Sequence, residues 1–426
     1  MTEVSARAQA RAWVEQNWDL DLTLREWWGR LAEAGWAFPT WPRGYGGQGL
    51  NPAEAREVSE VLAGARAVAP PGGLGQMMGG PVIIEHGSDA QKDRWLLALA
   101  SGRESWCQLF SEPGAGSDLA SLQTRALRDG DVWIVNGQKV WTSGARTADR
   151  GMLVARTDPD SPKHKGVTYF IFDMDQPGVD VRPLKQMDGG ATFNEVFFTD
   201  AVVPHDQVVG SVNNGWMVAV STLAYERQGI GGGRSAGGIM AGGPGEKNGA
   251  LDRKVGDLIQ ASQQTQGEQA AMMAAQSSGA LADLARSFGR QDDPVIRQRL
   301  MRMQVQSETH RINGARARAA AQAGRMPGPE VSTGKLITSS LGRQARDLSL
   351  EIEGPHGMLV GPDAPEDGRY QQMGLRVQSG SIAGGTDEIQ RNIIGERVLG
   401  LPREPQVDRE QPFRDLKVGT QKSTNE

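Results

Sequence analysis

The sequence predicts an α+β protein in which helical first and last parts flank a β-rich middle. Three observations predict it: helical apolar spacing over residues 6–103, short β-like runs broken by turn residues over 105–204, and long helical patterns again from 214 onward. With 426 residues, 38% hydrophobic and 23% charged, the chain has apolar mass for two or three packed units. A net charge of −5 and a pI near 5.7, without basic runs, argue against general affinity for nucleic acid or anionic lipid. The single cysteine, Cys107, excludes an internal disulfide and sits in an apolar run, where a buried thiol is expected rather than a nucleophile. No apolar stretch approaches membrane-spanning length and residues 1–21 lack a signal-peptide core, so a soluble cytoplasmic protein is expected.

The elements divide into domains at 1–104, 105–213 and 214–402, with a tail at 403–426. In the first, Trp27, Leu31, Ala34 and Trp36 mark a helix, residues 39–47 are turn-rich, and Asn51-Pro52 opens a second helical stretch because proline suits a first turn. In the second, runs at 106–110, 132–135, 151–155, 167–172 and 196–198 read as strands, and Asp129-Gly130 reads as a hairpin turn. In the third, Asp293-Pro294 starts one helix and residues 335–353 form another. An insert at about 229–278 is glycine-dense and then rich in Gln, Ala and Ser; it reads as a lid or a connector leading into one or two polar helices. The charged tail is expected to pack loosely or not at all.

Four segments carry chemistry. Cys107-Gln108-Leu109-Phe110-Ser111-Glu112-Pro113-Gly114-Ala115-Gly116-Ser117-Asp118 runs from a strand into a glycine-rich turn, which offers backbone N–H groups and hydroxyls to a phosphate or a ring edge. Taken alone, a glycine turn between strands explains it equally well. Gly137-Gln138-Lys139-Val140-Trp141-Thr142-Ser143 places an aromatic plane beside short hydroxyls, although a lone Trp141 is more often core. Glu226 ends a mainly apolar helix: the residues at helical spacing, Thr222, Leu223, Gly229 and Ile230, include no cation, and Arg227 points about 100° away around the axis. Such a carboxylate should have a raised pKa suited to a general base. The fourth is Ser381-Ile382-Ala383-Gly384-Gly385-Thr386-Asp387-Glu388-Ile389-Gln390-Arg391-Asn392. Gly231-Gly232-Gly233-Arg234-Ser235-Ala236 fits a dinucleotide pattern but follows a helix, so it reads as a loop, and the five histidines show no metal-ligand spacing.

In this order and at these spacings, the segments resemble flavin-dependent acyl-CoA dehydrogenases over roughly residues 27–402. The resemblance implies an N-terminal helical domain, a β-barrel-like middle domain and a C-terminal four-helix bundle, with FAD as cofactor. It assigns flavin contacts to Phe110, Ser111, Gly116, Ser117, Trp141, Thr142, Ser143, Arg286, Gly354, Thr386 and Glu388, and substrate contacts to Ser117 and Arg227. Many members carry the catalytic glutamate two residues before the threonine, where this chain has Gly384. A minority, including the isovaleryl-CoA and long-chain types, keep the base in a Glu-Arg pair on the earlier helix and a small residue at the later place. Glu226-Arg227 with Gly384 resembles that arrangement on both counts.

On this resemblance, Glu226 removes the α proton of an acyl-CoA while the β hydrogen leaves as hydride to the flavin, yielding a trans-2-enoyl-CoA. The N–H of Gly384 would stabilise the thioester oxygen. An electron-transfer flavoprotein is the implied acceptor, and a fatty or sterol-derived acyl group the implied substrate. The motif around Arg286 departs from the family's Arg-x-x-Phe-Gly, with the arginine one residue late, and Glu351-Ile352-Glu353-Gly354-Pro355 replaces Gln-x-x-Gly-Gly. Those contacts come from a neighbouring subunit, implying a dimer or tetramer, homo- or hetero-oligomeric. Two other readings stay open: a partner subunit completing another chain's flavin site, which would purify colourless, and an oxygen-activating flavin enzyme with no need of Glu226.

Overall fold

The computed structural model describes residues 5–231, 243–261, 275–322, 328–405 and 408–417. The Gly232–Ala236 portion of the dinucleotide-like motif and most of the polar insert lie outside them. The first part holds α1 (Ala6–Asn17), α2 (Leu24–Glu33), α3 (Pro52–Gly64), α4 (Gly80–His86) and α5 (Asp89–Ala100). Local chemistry sets the starts of α2 and α3. Thr23 with Glu26, and Asn51 with Glu54, form reciprocal capping boxes, and Pro52 occupies the first turn of α3. The apolar face of α2 buries Leu24, Trp27, Trp28 and Leu31, and both indoles find carbonyl acceptors, Trp27 on Val68 at 2.7 Å and Trp28 on Ala69 at 2.8 Å.

The middle part is one sheet of β1 (Trp106–Leu109), β2 (Arg125–Asp129), β3 (Val132–Ser143), β4 (Arg150–Arg156), β5 (Val167–Asp173), β6 (Val179–Leu184), β7 (Phe193–Pro204) and β8 (Val208–Val209). Its order is β6-β7-β3-β2-β4-β5-β8, with β1 parallel to β4. Side chains alternate between faces along a strand, and here they separate two cores. Met152 and Val154 of β4, with Val167, Tyr169 and Ile171 of β5, join the core of the N-terminal helices. Leu153, Ala155, Phe170 and Phe172 face the other way onto Trp133, Val135, Val196 and Phe198 of β3 and β7, so the sheet folds over its own barrel-like core. Cys107 is wholly buried and its thiol pKa is pushed up to about 12 by desolvation.

β3 and β7 run well past the stretches read from sequence, and β2, β6 and β8 were not read there at all. Two register shifts break the period-2 pattern of β3, and β6 is a half-exposed edge strand containing Pro183.

The last part comprises α6 (Gly215–Gly231), α7 (Ser278–Ser287), α8 (Pro294–Gln322), α9 (Ser332–Glu353), α10 (Arg369–Arg376) and α11 (Asp387–Ile393). Leu281 and Leu284, Ile296 and Met303, Ala345, Leu348 and Ile352, and Tyr370 and Met373 share its core. No helix among the described residues is long and apolar enough to cross a membrane.

Two segments read as loose are anchored. The insert returns to the N-terminal helices, where Leu251 and Val255 are buried, Leu24 and Arg25 donate backbone hydrogen bonds to Arg253 and Leu251, and Arg25 pairs with Glu246 and Asp252. The tail docks on the β4–β5 connection through residues 408–417 and buries Phe413, which corrects the expectation of loose packing there. Leu251→Ala should therefore cost about 2–5 kcal/mol, as a core truncation does. Thermal or denaturant unfolding checks this, and a neutral result would return the insert to the status of a free connector.

Candidate active site

The glycine-rich turn after β1 is fixed from beneath. Lys139 of β3 is fully buried, and its ammonium donates to the Phe110 carbonyl and to Glu112 Oε1, both at 2.9 Å. Glu112 also accepts the backbone N–H groups of Gln123 at 2.6 Å and Thr124 at 2.9 Å, so one carboxylate ties both ends of the turn together. Burial pushes the Glu112 carboxyl pKa up, but the Lys139 charge and the N–H donors outweigh it and the net shift is downward. Val140 donates to the Ser111 carbonyl at 2.9 Å, aligning the turn with β3. Above this base Gly116 faces open space and Ser117 is exposed without a partner among the described residues.

At the end of β3 the backbone takes a costly shape. Trp141 has φ +61°, uncommon for a residue with a Cβ, at a register break between Lys139 and Thr142. Its indole is 58% exposed and stands edge-on to Phe193 at 5.7 Å. Beside it the Thr142 hydroxyl is buried with no hydrogen-bond partner among the described residues, while Asn194 donates to the Thr142 carbonyl at 2.9 Å. Strain that exposes an aromatic plane next to an orphaned hydroxyl fits a planar heteroaromatic ligand with polar edges, which is what an isoalloxazine requires.

Helix α6 brings the carboxylate. Its first turn lies against the β5 backbone, where a Cβ on Gly215 would stand 2.4 Å from Tyr169 N, and the buried Thr222 hydroxyl donates to Val218 O at 2.8 Å and lies 3.3 Å from the Tyr169 hydroxyl. One turn on, on the same face, Glu226 meets β1, accepting from Gln108 Nε2 at 3.4 Å. Desolvation raises the Glu226 pKa, opposed by the Gln108 hydrogen bond and the Arg227 charge. Arg227 is half-buried with its pKa lowered by desolvation, against the pull of Glu226 and reinforced by the like charge of Arg397. No ion pair engages Arg227 among the described residues.

The turn before α11 is built on two left-handed glycines, Gly384 at φ +67° and Gly385 at φ +91°. Gln390 donates to the Gly384 carbonyl at 2.9 Å, and the Gly384 N–H has no partner among the described residues. Thr386 caps α11, its hydroxyl accepting from Ile389 N at 3.2 Å, and Glu388 is exposed beside Arg391. Asp387 pins the turn to α9 by accepting from Lys335 at 3.0 Å, Ser339 at 2.8 Å and Arg343 at 2.9 Å.

Within one chain the structure joins Phe110, Ser111, Thr142 and Ser143 through β3, and Glu226 to β1 through Gln108. Arg286 is exposed and paired with Asp283, and Gly354 ends α9 at φ +58°; among the described residues neither touches the cluster from Ser111 to Ser143. Sequence reading missed the Gln108 contact, the Glu112–Lys139 pair, and the Asp387 and Gln390 supports. The signal for the pair was present in the motifs: a glutamate and a lysine set into otherwise apolar, strand-like company.

Lys139→Met should lower stability by about 3–5 kcal/mol, since it strands a buried carboxylate. Denaturant unfolding measures this, and the deficit should shrink as pH falls and Glu112 takes up a proton. A loss below about 1 kcal/mol, the range of exposed pairs, would show that the pair is not buried as described.

Comparison with known proteins agrees with this geometry. Residues 2–103, 107–201 and 264–399 match the N-terminal, middle and C-terminal domain models of acyl-CoA dehydrogenases. The chain is 37% identical to acyl-CoA dehydrogenase IpdE1 of Mycobacterium tuberculosis, over 93% of this chain and 97% of that one. Among solved structures, the Tcur3481–Tcur3483 steroid acyl-CoA dehydrogenase superposes with TM-score 0.67 at 27% identity, covering 93% of this chain and 97% of that one. The ChsE4–ChsE5 complex from Mycobacterium tuberculosis gives 0.63 at 26% identity over 95% and 100%. Three domain matches in order and a relative of near-equal length show that the chain belongs to the acyl-CoA dehydrogenase family, FAD-dependent oxidoreductases that desaturate the α,β bond of acyl-CoA thioesters.

Proposed function

We propose that Glu226 is the base of this dehydrogenase and that its acyl group is bulky and sterol-derived. The observation that carries the first part is that, among the described residues, Glu226 makes no ion pair: its hydrogen-bond partner is a neutral amide, and desolvation raises its pKa against the Gln108 bond and the Arg227 charge. Bound FAD supplies the acceptor for the β hydrogen, leaving as hydride. The protein does the rest. Glu226 takes the α proton, Gln108 holds the carboxylate in one orientation, and the free N–H of Gly384 donates to the thioester oxygen as negative charge gathers there. Arg227, in no ion pair among the described residues, attracts the anionic CoA ester.

Phe110, Ser111, Gly116, Ser117, Trp141, Thr142 and Ser143 form one wall of the flavin site in this reading. In the same reading Thr386 and Glu388 contact the flavin beside Gly384, and Arg286 and Gly354 serve a flavin across a subunit boundary, so the working unit is an oligomer. The relatives whose names join two chains, Tcur3481–Tcur3483 and ChsE4–ChsE5, make an unlike partner as reasonable as an identical one. The name of the former, a steroid acyl-CoA dehydrogenase, supports a steroid-type substrate. Electron-transfer flavoprotein is the proposed acceptor and the cytoplasm the proposed location.

The test is anaerobic mixing of the oligomer with octanoyl-CoA and with CoA esters of steroid carboxylic acids, following loss of the oxidised flavin band. Glu226→Gln should keep FAD and slow bleaching by about 10²–10⁴-fold. Because the base must be ionised and its pKa is raised, the wild-type rate should fall as pH drops through a value above the ordinary glutamate range. Bleaching by the variant at the wild-type rate would exclude Glu226 as the base.

A further inference from the structure

The docked tail reaches the glycine-rich turn through two cations. Residues 408–416 lie along the β4–β5 connection: Pro412 bridges Pro162, Phe413 N–H donates to Ser161 O and Arg414 N–H to Pro159 O, each at 3.0 Å, and Arg414 pairs with Asp160. The Phe413 ring is buried beneath the Arg156 guanidinium, which stands 3.8 Å from its centroid. Arg156 donates to Lys163 O at 2.8 Å and to Ala120 O at 2.6 Å. Among the described residues it is buried with no ion-pair partner and its Nε has no acceptor, so the ring face and backbone carbonyls compensate its charge at contact, while Glu112 and Asp158 favour it only through space. Lys163 bridges Asp408 of the tail at 2.8 Å and Asp118 at 3.0 Å. Asp118 follows Ser117 directly, and its carboxylate also accepts from Ser121. Both cations thus hold residues 118–122 of the turn, next to Gln123 and Thr124, which Glu112 holds.

We propose that residues 408–416 are a positioning strap for the turn bearing Gly116 and Ser117, so that Phe413 and Asp408 set how tightly the enzyme holds flavin and thioester without touching either. This rests on the reading of that turn as a wall of the flavin and substrate site. It assigns function to a segment outside the matched domain, which ends at residue 399. Without Phe413, the Arg156 face opens to water and its hold on Ala120 weakens. Without the Asp408 carboxylate, Lys163 loses one of two anchors and Asp118 is freer to move.

The experiment compares wild type, Phe413→Ala, Phe413→Tyr and Asp408→Asn as holoenzymes. Amide hydrogen exchange is followed at 114–122 and in β4 and β5. Binding is followed with acetoacetyl-CoA, whose β carbon is a ketone with no hydride to give, through the shift of the flavin band. Phe413→Ala should speed exchange at 114–122 and weaken acetoacetyl-CoA binding by about tenfold, the loss expected for one desolvated cation–ring contact. Exchange in β4 and β5 should not change, kcat should change less than binding, and Phe413→Tyr, which keeps the ring, should restore both readouts. Asp408→Asn, at a partly exposed carboxylate, should show the same pattern more weakly and carries the test if Phe413→Ala does not fold. Unchanged exchange and affinity, a uniform rise in exchange across the molecule, or an equal effect of Phe413→Tyr would each overturn the strap. If wild type shows no flavin response to acetoacetyl-CoA while Glu226→Gln fails in the same way, the site reading falls and the strap with it.

Discussion

Everything placed at the site depends on the buried pair between Lys139 and Glu112. The turn from Phe110 to Thr124 must present unpaired backbone and hydroxyl groups to a ligand, so it cannot satisfy itself internally and must be held from behind. A carboxylate near one end of the turn that accepts from two N–H groups at the other, neutralised by an ammonium from β3, does this while leaving the outer surface free. The same lysine lies two residues before Trp141, so one contact sets both the turn and the exposed indole. Buried ion pairs are weak sources of net stability and strong sources of geometric definition once formed. Geometric definition is what a flavin site requires.

A contrast in charge compensation then marks the chemistry. Glu112 has Lys139, Asp387 has Lys335 and Arg343, and Arg156 has carbonyls and the Phe413 ring. For Asp387, burial pushes the pKa up, but Ser339, Lys335 and Arg343 carry the net shift downward, as at Glu112. Glu226 differs, a half-buried carboxylate with a neutral partner and a pKa displaced the other way; Glu353, which accepts from Gln371, shares that pattern but sits at the end of α9, away from β1. Ion-paired charges hold the framework, and the carboxylate that meets β1 is left able to accept a proton.

Much of this was legible where the signal is local. Periodic apolar positions announced α2, and prolines suited to a first turn announced α3 and α8, because those features are set within one or two helical turns of chain. The lack of a cation around Glu226 was readable for the same reason. The partner it does have is 118 residues away, and no periodicity encodes that. The insert and tail misled because composition reports solubility and not docking: Leu251, Val255 and Phe413 belong to sparse apolar sets in polar stretches, and they bury against distant chain. β6 was invisible for a related reason, since an exposed edge strand with a proline lacks the alternation that marks a half-buried one.

The central claim is that Glu226 is held without a direct ion pair among the described residues so that it can accept a proton in the site. Infrared difference spectroscopy of the glutamate-labelled holoenzyme across pH measures this directly through the protonated carboxyl stretch. The account predicts a carboxyl band persisting above the ordinary glutamate range and perturbed when acetoacetyl-CoA binds. Titration of Glu226 within or below that range, with no response to the thioester, would make it a solvated or ion-paired side chain and contradict the account.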